Sequence, residues 1–381
     1  MRNVVVLSVF GTRPEGIKMC PLVKALEKDE RFQSIVCVTA QHREMLDAVL
    51  DIFKVKPDFD LDIMAHGQTI IDISTKVLRG VDETIKECKP DIVLVHGDTS
   101  TTLNGALAAF YNKVPVGHVE AGLRTYDIYS PFPEEANRKL TGAITEMHFA
   151  PTNTNKANLL REGVDEEKII ITGNTVIDAL LSVIDEDLKF EQEELNDINY
   201  KNKKVILLTT HRRENWGEPM ENIFKAMIRL VKDNEDVEVI FPMHKNPSIR
   251  ELAHRYFDEY KGRVHLIEPL EYVEFANLME RVYLIMTDSG GIQEEAPTLG
   301  KPVMVLRTET ERPEAVEAGT IKLAGVEEDN IYNLAKELIE NKEEYEKMAH
   351  SANPYGDGKA CERILDSIFK KFNFYNKSNL R

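Results

Sequence analysis

The sequence predicts an α/β protein with two parallel sheets, one in each half of a 381-residue chain. Three observations predict it. Apolar runs of strand length recur along the chain without polar alternation, as in strands covered on both faces. Amphipathic segments of helical length separate them, which is the alternation of parallel crossovers. The length suits two domains, each large enough for its own core.

In the first half the runs fall at Val4–Phe10, Ile35–Thr39, Ile92–His96, Val114–Val119, Met147–Ala150 and Lys168–Thr172. A second series follows at Val205–Thr210, Val237–Pro242, Val264–Ile267, Tyr283–Thr287 and Val303–Leu306. Helical patterns between them include Ile17–Glu27, Thr69–Glu87, Thr99–Tyr111 and Met220–Lys232, and another closes the chain at Ala360–Phe372. The boundary is expected at residue 172. Glu186–Lys204 is the most hydrophilic stretch and reads as a solvated surface connector.

Composition narrows the function. The apolar content of 42% is ordinary for a globular protein. A net charge of −17, from 65 acids against 48 bases, argues against a nucleic-acid or anionic-membrane surface. Cys20, Cys37, Cys88 and Cys361 show no C-x-x-C spacing, which disfavours a zinc site or a disulfide framework and suits a reducing cytoplasm. Met1–Phe10 runs straight into Gly11-Thr12-Arg13-Pro14-Glu15, so no signal peptide is expected. No apolar run approaches the ~20 residues of a membrane span.

Ligands of doubly wound sheets bind at the carboxyl ends of strands, so the polar residues after each strand are the candidates. After the first strand come Arg13 and Lys18, cations that could face a diphosphate, with Pro14 at a helix start. After the third comes His96-Gly97-Asp98-Thr99, where Asp98 would ordinarily be a helix cap. The next strand ends in Glu120, which has no capping duty. Pro131-Phe132-Pro133-Glu134-Glu135 then opens a helix, with Pro133 expected as its first residue. Three acids, Asp98, Glu120 and Glu134, at the strand ends of one sheet suggest acid/base chemistry.

The second half opens with His211-Arg212-Arg213, a concentrated cationic site, and His244-Lys245 follows its next strand. Asp288-Ser289-Gly290-Gly291-Ile292-Gln293-Glu294-Glu295 reads as strand, tight turn and helix start. Its unpaired N–H groups suit a phosphate, and Glu294 and Glu295 could accept from sugar hydroxyls. Taken alone, it reads as an Asp or Ser helix cap before it reads as a binding site. Arg312 follows the last strand run. Neither G-x-G-x-x-G nor G-x-x-x-x-G-K-[ST] occurs. A phosphate cradle with cations in one half and paired acids in the other describe a nucleotide-sugar enzyme.

These blocks resemble the non-hydrolysing UDP-N-acetylglucosamine 2-epimerases. The matching residues are Phe10–Glu15, Gln41–Leu46, His96–Thr99, His118–Arg124, Pro131–Glu135, His211–Glu214, Asp288–Glu295 and Thr310–Glu314, in order along the chain. The resemblance implies the GT-B fold, with two Rossmann-like domains facing a central cleft. The first spans 1–172, completed by the C-terminal helix at about 358–381; residues 173–357 form the UDP-binding domain. It implies interconversion of UDP-GlcNAc and UDP-ManNAc without a nicotinamide or other cofactor, through elimination of UDP to 2-acetamidoglucal and re-addition. It also implies a cytoplasmic homodimer with no nucleic-acid or membrane partner.

Carried over by position, Asp98, Glu120, Glu134 and His211 are catalytic. Arg13, Lys18, Phe275, Ser289, Gly290, Gly291, Glu295 and Arg312 bind the substrate. Gln41, His42, Gln68, Arg212 and His244 match a second, activating UDP-GlcNAc site of bacterial members. Two positions depart from that pattern: Glu44 stands where Gln is expected, and Gly67 where Arg is expected. Rival readings are a GT-B glycosyltransferase, a hydrolysing epimerase that releases free ManNAc, and a non-catalytic nucleotide-sugar sensor. A transferase needs one base and an acceptor groove, and a sensor has no use for three ionisable acids.

Overall fold

A computed structural model describes residues 2–40 and 43–378, with side chains through residue 373. The chain divides into two compact units. The first comprises Met1–Ser182 with Tyr355–Arg381, the second Val183–Pro354.

Unit 1 holds strands β1 (Val4–Phe10), β2 (Phe32–Val38), β3 (Phe59–Asp60), β4 (Ile92–His96), β5 (Val116–Val119), β6 (Met147–Ala150) and β7 (Ile169–Ile171). They form one sheet in the order β3-β2-β1-β4-β5-β6-β7, parallel throughout. Unit 2 holds β8 (Lys204–Thr209), β9 (Val237–Pro242), β10 (Val264–Ile267), β11 (Leu284–Thr287), β12 (Val303–Val305) and β13 (Ile321–Leu323). Its parallel sheet runs β10-β9-β8-β11-β12-β13. Both sheets therefore reverse direction beside their first strand, between β1 and β4 and between β8 and β11. In such sheets the strand ends at the reversal leave a crevice for ligands.

The central strands are fully buried because helices cover both faces, which is why they are apolar throughout. The unit 2 core gathers Phe224, Phe241 and Phe257 with Leu and Met side chains from the helix Glu218–Asp233. The helix Ala360–Ser378 returns to unit 1. Arg31 bonds Asp366 at 2.9 Å, Phe369 meets Phe32 edge-on, and Arg363 Nη1 donates to the Thr172 carbonyl at 3.0 Å.

Some expectations need correction. Strands β3 and β13 are too short, at two and three residues, to leave an apolar run. Glu186–Lys204 is not a solvated connector throughout, because Phe190, Leu195 and Ile198 are buried and pin it down. Pro133 is the N-cap of the helix Glu134–Ile144, not its first residue. Thr99, not Asp98, caps the helix Ser100–Tyr111, accepting from the Thr102 N–H at 3.1 Å. All four cysteines are free thiols. Among the described residues no helix is long and apolar enough to cross a membrane.

Candidate active site

The unit 1 site starts at the β1 turn. Gly11 lies so close to the end of β2 and to the helix Ser100–Tyr111 that a Cβ would sit 1.8 Å from Thr39 Oγ1 and 2.9 Å from Thr101 Oγ1. Thr12 caps the helix Arg13–Lys28, and Glu15 closes a capping box with it. The buried Glu15 carboxylate accepts from the N–H groups of Gly11 and Thr12 at 3.1 and 2.8 Å and from Thr99 Oγ1 at 2.7 Å. One acid thus ties the ends of β1 and β4 together. Burial raises its pKa against these bonds.

Glu120 follows β5 with φ +61°, a left-handed conformation that costs a non-glycine residue ~1 kcal/mol. Its carboxylate pairs with Lys18 from the first helix, accepts from Asn174 Nδ2 at 2.9 Å and lies 3.6 Å from His96 Nε2. Burial works to raise its pKa, but Lys18, His96 and Asn174 outweigh burial and hold it at about 2. Burial drives His96 the other way for a base, down to about 3. At neutral pH the site therefore contains an ionised Glu120 beside an uncharged imidazole.

Asp98 responds differently. Burial and the nearby Glu120 charge raise its pKa, although Arg138 opposes them. Arg138 grips Asp98 Oδ2 through Nη2 at 2.7 Å and Nε at 3.0 Å, and Asn137 Nδ2 donates to the Asp98 carbonyl at 2.8 Å. Arg138 also bonds the fully buried Glu135 at 3.1 Å. Glu135 accepts from the N–H groups of Thr125 and Tyr126, both at 3.1 Å, and so anchors the loop after β5. Two carboxylates whose environments push their pKa values apart are the arrangement that separates an acid from a base. Glu134 lines a cavity of about 480 Å³ with Thr12, Arg13, Thr99, Ser100 and Asn137, walled on its apolar side by Pro14, Met45, Ile70, Ile73 and Pro133.

In unit 2 the Asp288 stretch is organised in a way neither sequence reading anticipates. Asp288 is fully buried and does not cap its own helix. Its carboxylate accepts from Thr210 Oγ1 at 2.9 Å, from the N–H groups of His211 and Arg212 at 3.0 Å each, and from Asn215 Nδ2 at 3.0 Å. His211 Nδ1 lies 3.1 Å from its other oxygen. Burial favours protonation of Asp288, but these donors win and its pKa is lowered.

Ser289 is the N-cap of the helix Gly290–Glu295, and its side chain makes no capping bond. Gly290 lets the Arg312 guanidinium approach, since a Cβ there would lie 3.2 Å from its Cζ. Arg312 is oriented by Glu294 at 2.8 Å, and Thr310 bonds Gln293 at 2.6 Å. The structure thus gathers His211, Ser289, Gly290, Gly291, Glu295 and Arg312 at the β8 and β11 ends. Phe275 is half-buried on the helix Tyr272–Arg281.

The model of the UDP-N-acetylglucosamine 2-epimerase family matches residues 24–369. The chain belongs to that family. It is 56% identical over 374 residues to the UDP-N-acetylglucosamine 2-epimerase of Bacillus subtilis, covering 98% of this chain and 97% of that one. The crystal structure of the Neisseria meningitidis UDP-GlcNAc 2-epimerase, bound to UDP-GlcNAc, superposes with a TM-score of 0.89 at 49% identity, covering 96% of this chain and all of that one. The Methanocaldococcus jannaschii enzyme, crystallised with UDP-GlcNAc and UDP, gives 0.71 at 36% identity, covering 96% of this chain and 99% of that one.

The described residues expected to bind an activator fall in different units. Gln68, in unit 1, accepts from Lys76 Nζ at 3.4 Å. Arg212 and His244 are in unit 2, and the His244 ring accepts from the Asn246 N–H at 3.1 Å. Gln41 and His42 lie outside the described residues. Gly67 has φ +73° with open space where a Cβ would point, and Glu44 is exposed.

Arg138, Asn137, Glu15 and Glu135 hold the candidate residues and their loops in place, and the sequence did not single them out as candidates. Asp98, Thr125 and Tyr126, which Arg138, Asn137 and Glu135 hold, lie in other loops, so no spacing signals those bonds. The capping-box spacing of Thr12 and Glu15 and the i,i+3 spacing of Glu135 and Arg138 could have been read.

Proposed function

We propose that this epimerase family member interconverts UDP-GlcNAc and UDP-ManNAc by eliminating UDP to 2-acetamidoglucal and adding it back. The observation that carries the reading is Glu120. Its carboxylate is kept ionised by Lys18 at a strand end, beside an Asp98 whose pKa is shifted the opposite way.

The proton on carbon 2 of the sugar is not next to a carbonyl, so a base alone removes it with difficulty. As the C1–O bond to UDP breaks, its electron pair goes to the diphosphate and carbon 1 becomes electron-poor. The carbon 2 proton then becomes acidic, and its C–H electrons form the C1=C2 bond of the glucal. Return of the proton on the opposite face, with UDP adding again to carbon 1, gives the epimer. In this reading Asp98, Glu120 and Glu134 supply the acid and base groups for the two faces. His211, with Arg13 and Arg312, stabilises the departing diphosphate. Ser289, Gly290 and Gly291 bind phosphate, Glu295 the ribose and Phe275 the uracil. Lys18 serves the diphosphate side while its pair keeps Glu120 ionised. No cofactor enters the scheme. We further assign the reaction to a cytoplasmic homodimer that supplies ManNAc for polysaccharide or glycan synthesis.

The test is turnover of UDP-GlcNAc in deuterated water without added cofactor. UDP-ManNAc carrying deuterium at carbon 2, with traces of UDP and the glucal, is expected. Release of free ManNAc would replace the reading with hydrolysis, and an absence of turnover would leave a nucleotide-sugar sensor.

A further inference from the structure

The Asp98 turn is held from beneath by a histidine that the reaction scheme does not use. His118 lies on β5, 1% exposed, level with Val95 on β4 and directly opposite His148 on β6. Its Nε2 is 2.7 Å from the carbonyl oxygen of Gly97. A carbonyl can only accept, so Nε2 carries the proton. Its Nδ1 is buried and has no hydrogen-bond partner. The bond to Gly97 therefore fixes both the tautomer and the ring orientation.

Gly97 is the turn residue between β4 and Asp98, with φ +67°. Its N–H donates to the Val119 carbonyl at 2.9 Å, so β5 grips both polar groups of this one residue. The next residue is Asp98, already held at its carbonyl by Asn137 and at its carboxylate by Arg138. Without the His118 bond, the Gly97 carbonyl is left buried beneath the turn without this donor, and a glycine in the left-handed region is the residue most free to rotate.

We propose that His118 is a positioning residue for the epimerisation: as a neutral Nε2–H donor to Gly97, it sets the peptide that aims the Asp98 carboxylate. The inference rests on the epimerase reading, in that Asp98 is the group being aimed. Burial is consistent with the neutral ring, lowering the His118 pKa to about 4.

The side chains that can replace it differ in reach. Gln places an amide N–H near the position of Nε2. Asn reaches only the level of Nδ1, and Met has the volume without a donor. In His118→Met, kcat is expected to fall by about 10- to 100-fold with KM and UDP affinity unchanged, the scale of a small misplacement of a reacting group. His118→Gln is expected to recover most of that loss and His118→Asn none of it. Asp98→Asn is expected to bind UDP and to keep only residual epimerisation, and adding His118→Met should lower that residual rate no further. Equal activity of the Gln and Asn variants, or a further loss in the double variant, overturns the assignment. If the Met variant does not fold, the Gln and Asn pair decides. The tautomer is read without turnover, by nitrogen NMR of chain labelled in its histidines. A His118 protonated at Nδ1 overturns the proposal whether or not UDP-GlcNAc is a substrate, and turnover by the unsubstituted chain tests the epimerase reading separately.

Discussion

Lys18 and Glu120 show how much of the chemistry sits in single pairs. Each position was legible as a candidate, since each follows a strand. Their pairing was not, because 102 residues separate them and only the sheet order brings β1 and β5 close enough. The pair predicts a pH effect. Burial alone would raise the Glu120 pKa above 4.5, and it lies near 2 because Lys18 heads the opposing effects. Lys18→Met removes the largest of the effects that oppose burial, so the Glu120 pKa is expected to rise. The acidic limb of the kcat/KM profile is expected to move up by more than about one pH unit. A limb that stays in place would remove Lys18 as the cause. The linkage to stability has the same origin. Because the folded pKa is depressed, the contribution of Glu120 is complete above pH 4.5 and is lost as pH falls toward 2. Arg138 is the contrasting case at this scale. It reads in the sequence as one more cation on an amphipathic helix, and only its two partners, Asp98 and Glu135, reveal its role.

At the scale of elements, periodicity and turn chemistry placed most strands, including β1, β4, β6, β9 and β10 at their observed ends. What it could not show was how loops hold one another. Asp288 was read as a cap or part of a phosphate turn, because sequence can relate it only to its own helix. Instead it joins the end of β11 to the end of β8, accepting from four donors across that junction. This leaves the N–H groups of the following helix uncapped by Asp288 or Ser289 side chains. The same carboxylate orients His211, so the Ser289–Gly291 turn and the cationic cluster are one assembly. Asp288→Asn retains the volume but turns one acceptor oxygen into a donor facing other donors. A loss of about 2–3 kcal/mol is expected in the denaturant stability of the transition that includes unit 2, the cost of a broken buried charged network. Ser289→Ala should leave that stability within about 0.5 kcal/mol, because the hydroxyl makes no capping bond. Equal losses in the two variants would contradict the joining role of Asp288.

For the whole molecule, two parallel sheets followed from composition and alternation, and the family from ordered motifs. The shared 3-2-1-4-5-6 strand order did not follow, because the order in which strands pair leaves no trace in their spacing. It explains why the candidates cluster: in each unit the residues after the two strands at the reversal are those the motifs contain. The residues expected to bind an activator, by contrast, are divided between the units: Gln68 belongs to the first, Arg212 and His244 to the second. Position 67, where the resemblance leads one to expect Arg, departs from that pattern: this chain has a glycine in the left-handed region with open space at the Cβ position. An exposed Glu44 adds a negative charge to the same set. Both changes oppose binding of a diphosphate, so activation by UDP-GlcNAc should be weak here. The initial rate of labelled UDP-ManNAc consumption is expected to rise less than about 10-fold as unlabelled UDP-GlcNAc is added, the scale set by one missing charge-assisted bond. Gly67→Arg supplies the expected cation at a backbone cost of ~1 kcal/mol, and nothing lies within 4 Å of where its Cβ would sit. In that variant the half-activating concentration should fall about 10-fold, with KM for UDP-ManNAc at saturating activator unchanged. An unchanged half-activating concentration would show that position 67 takes no part in activation in this chain. A rise in basal rate without activator would show that it acts on the catalytic site itself.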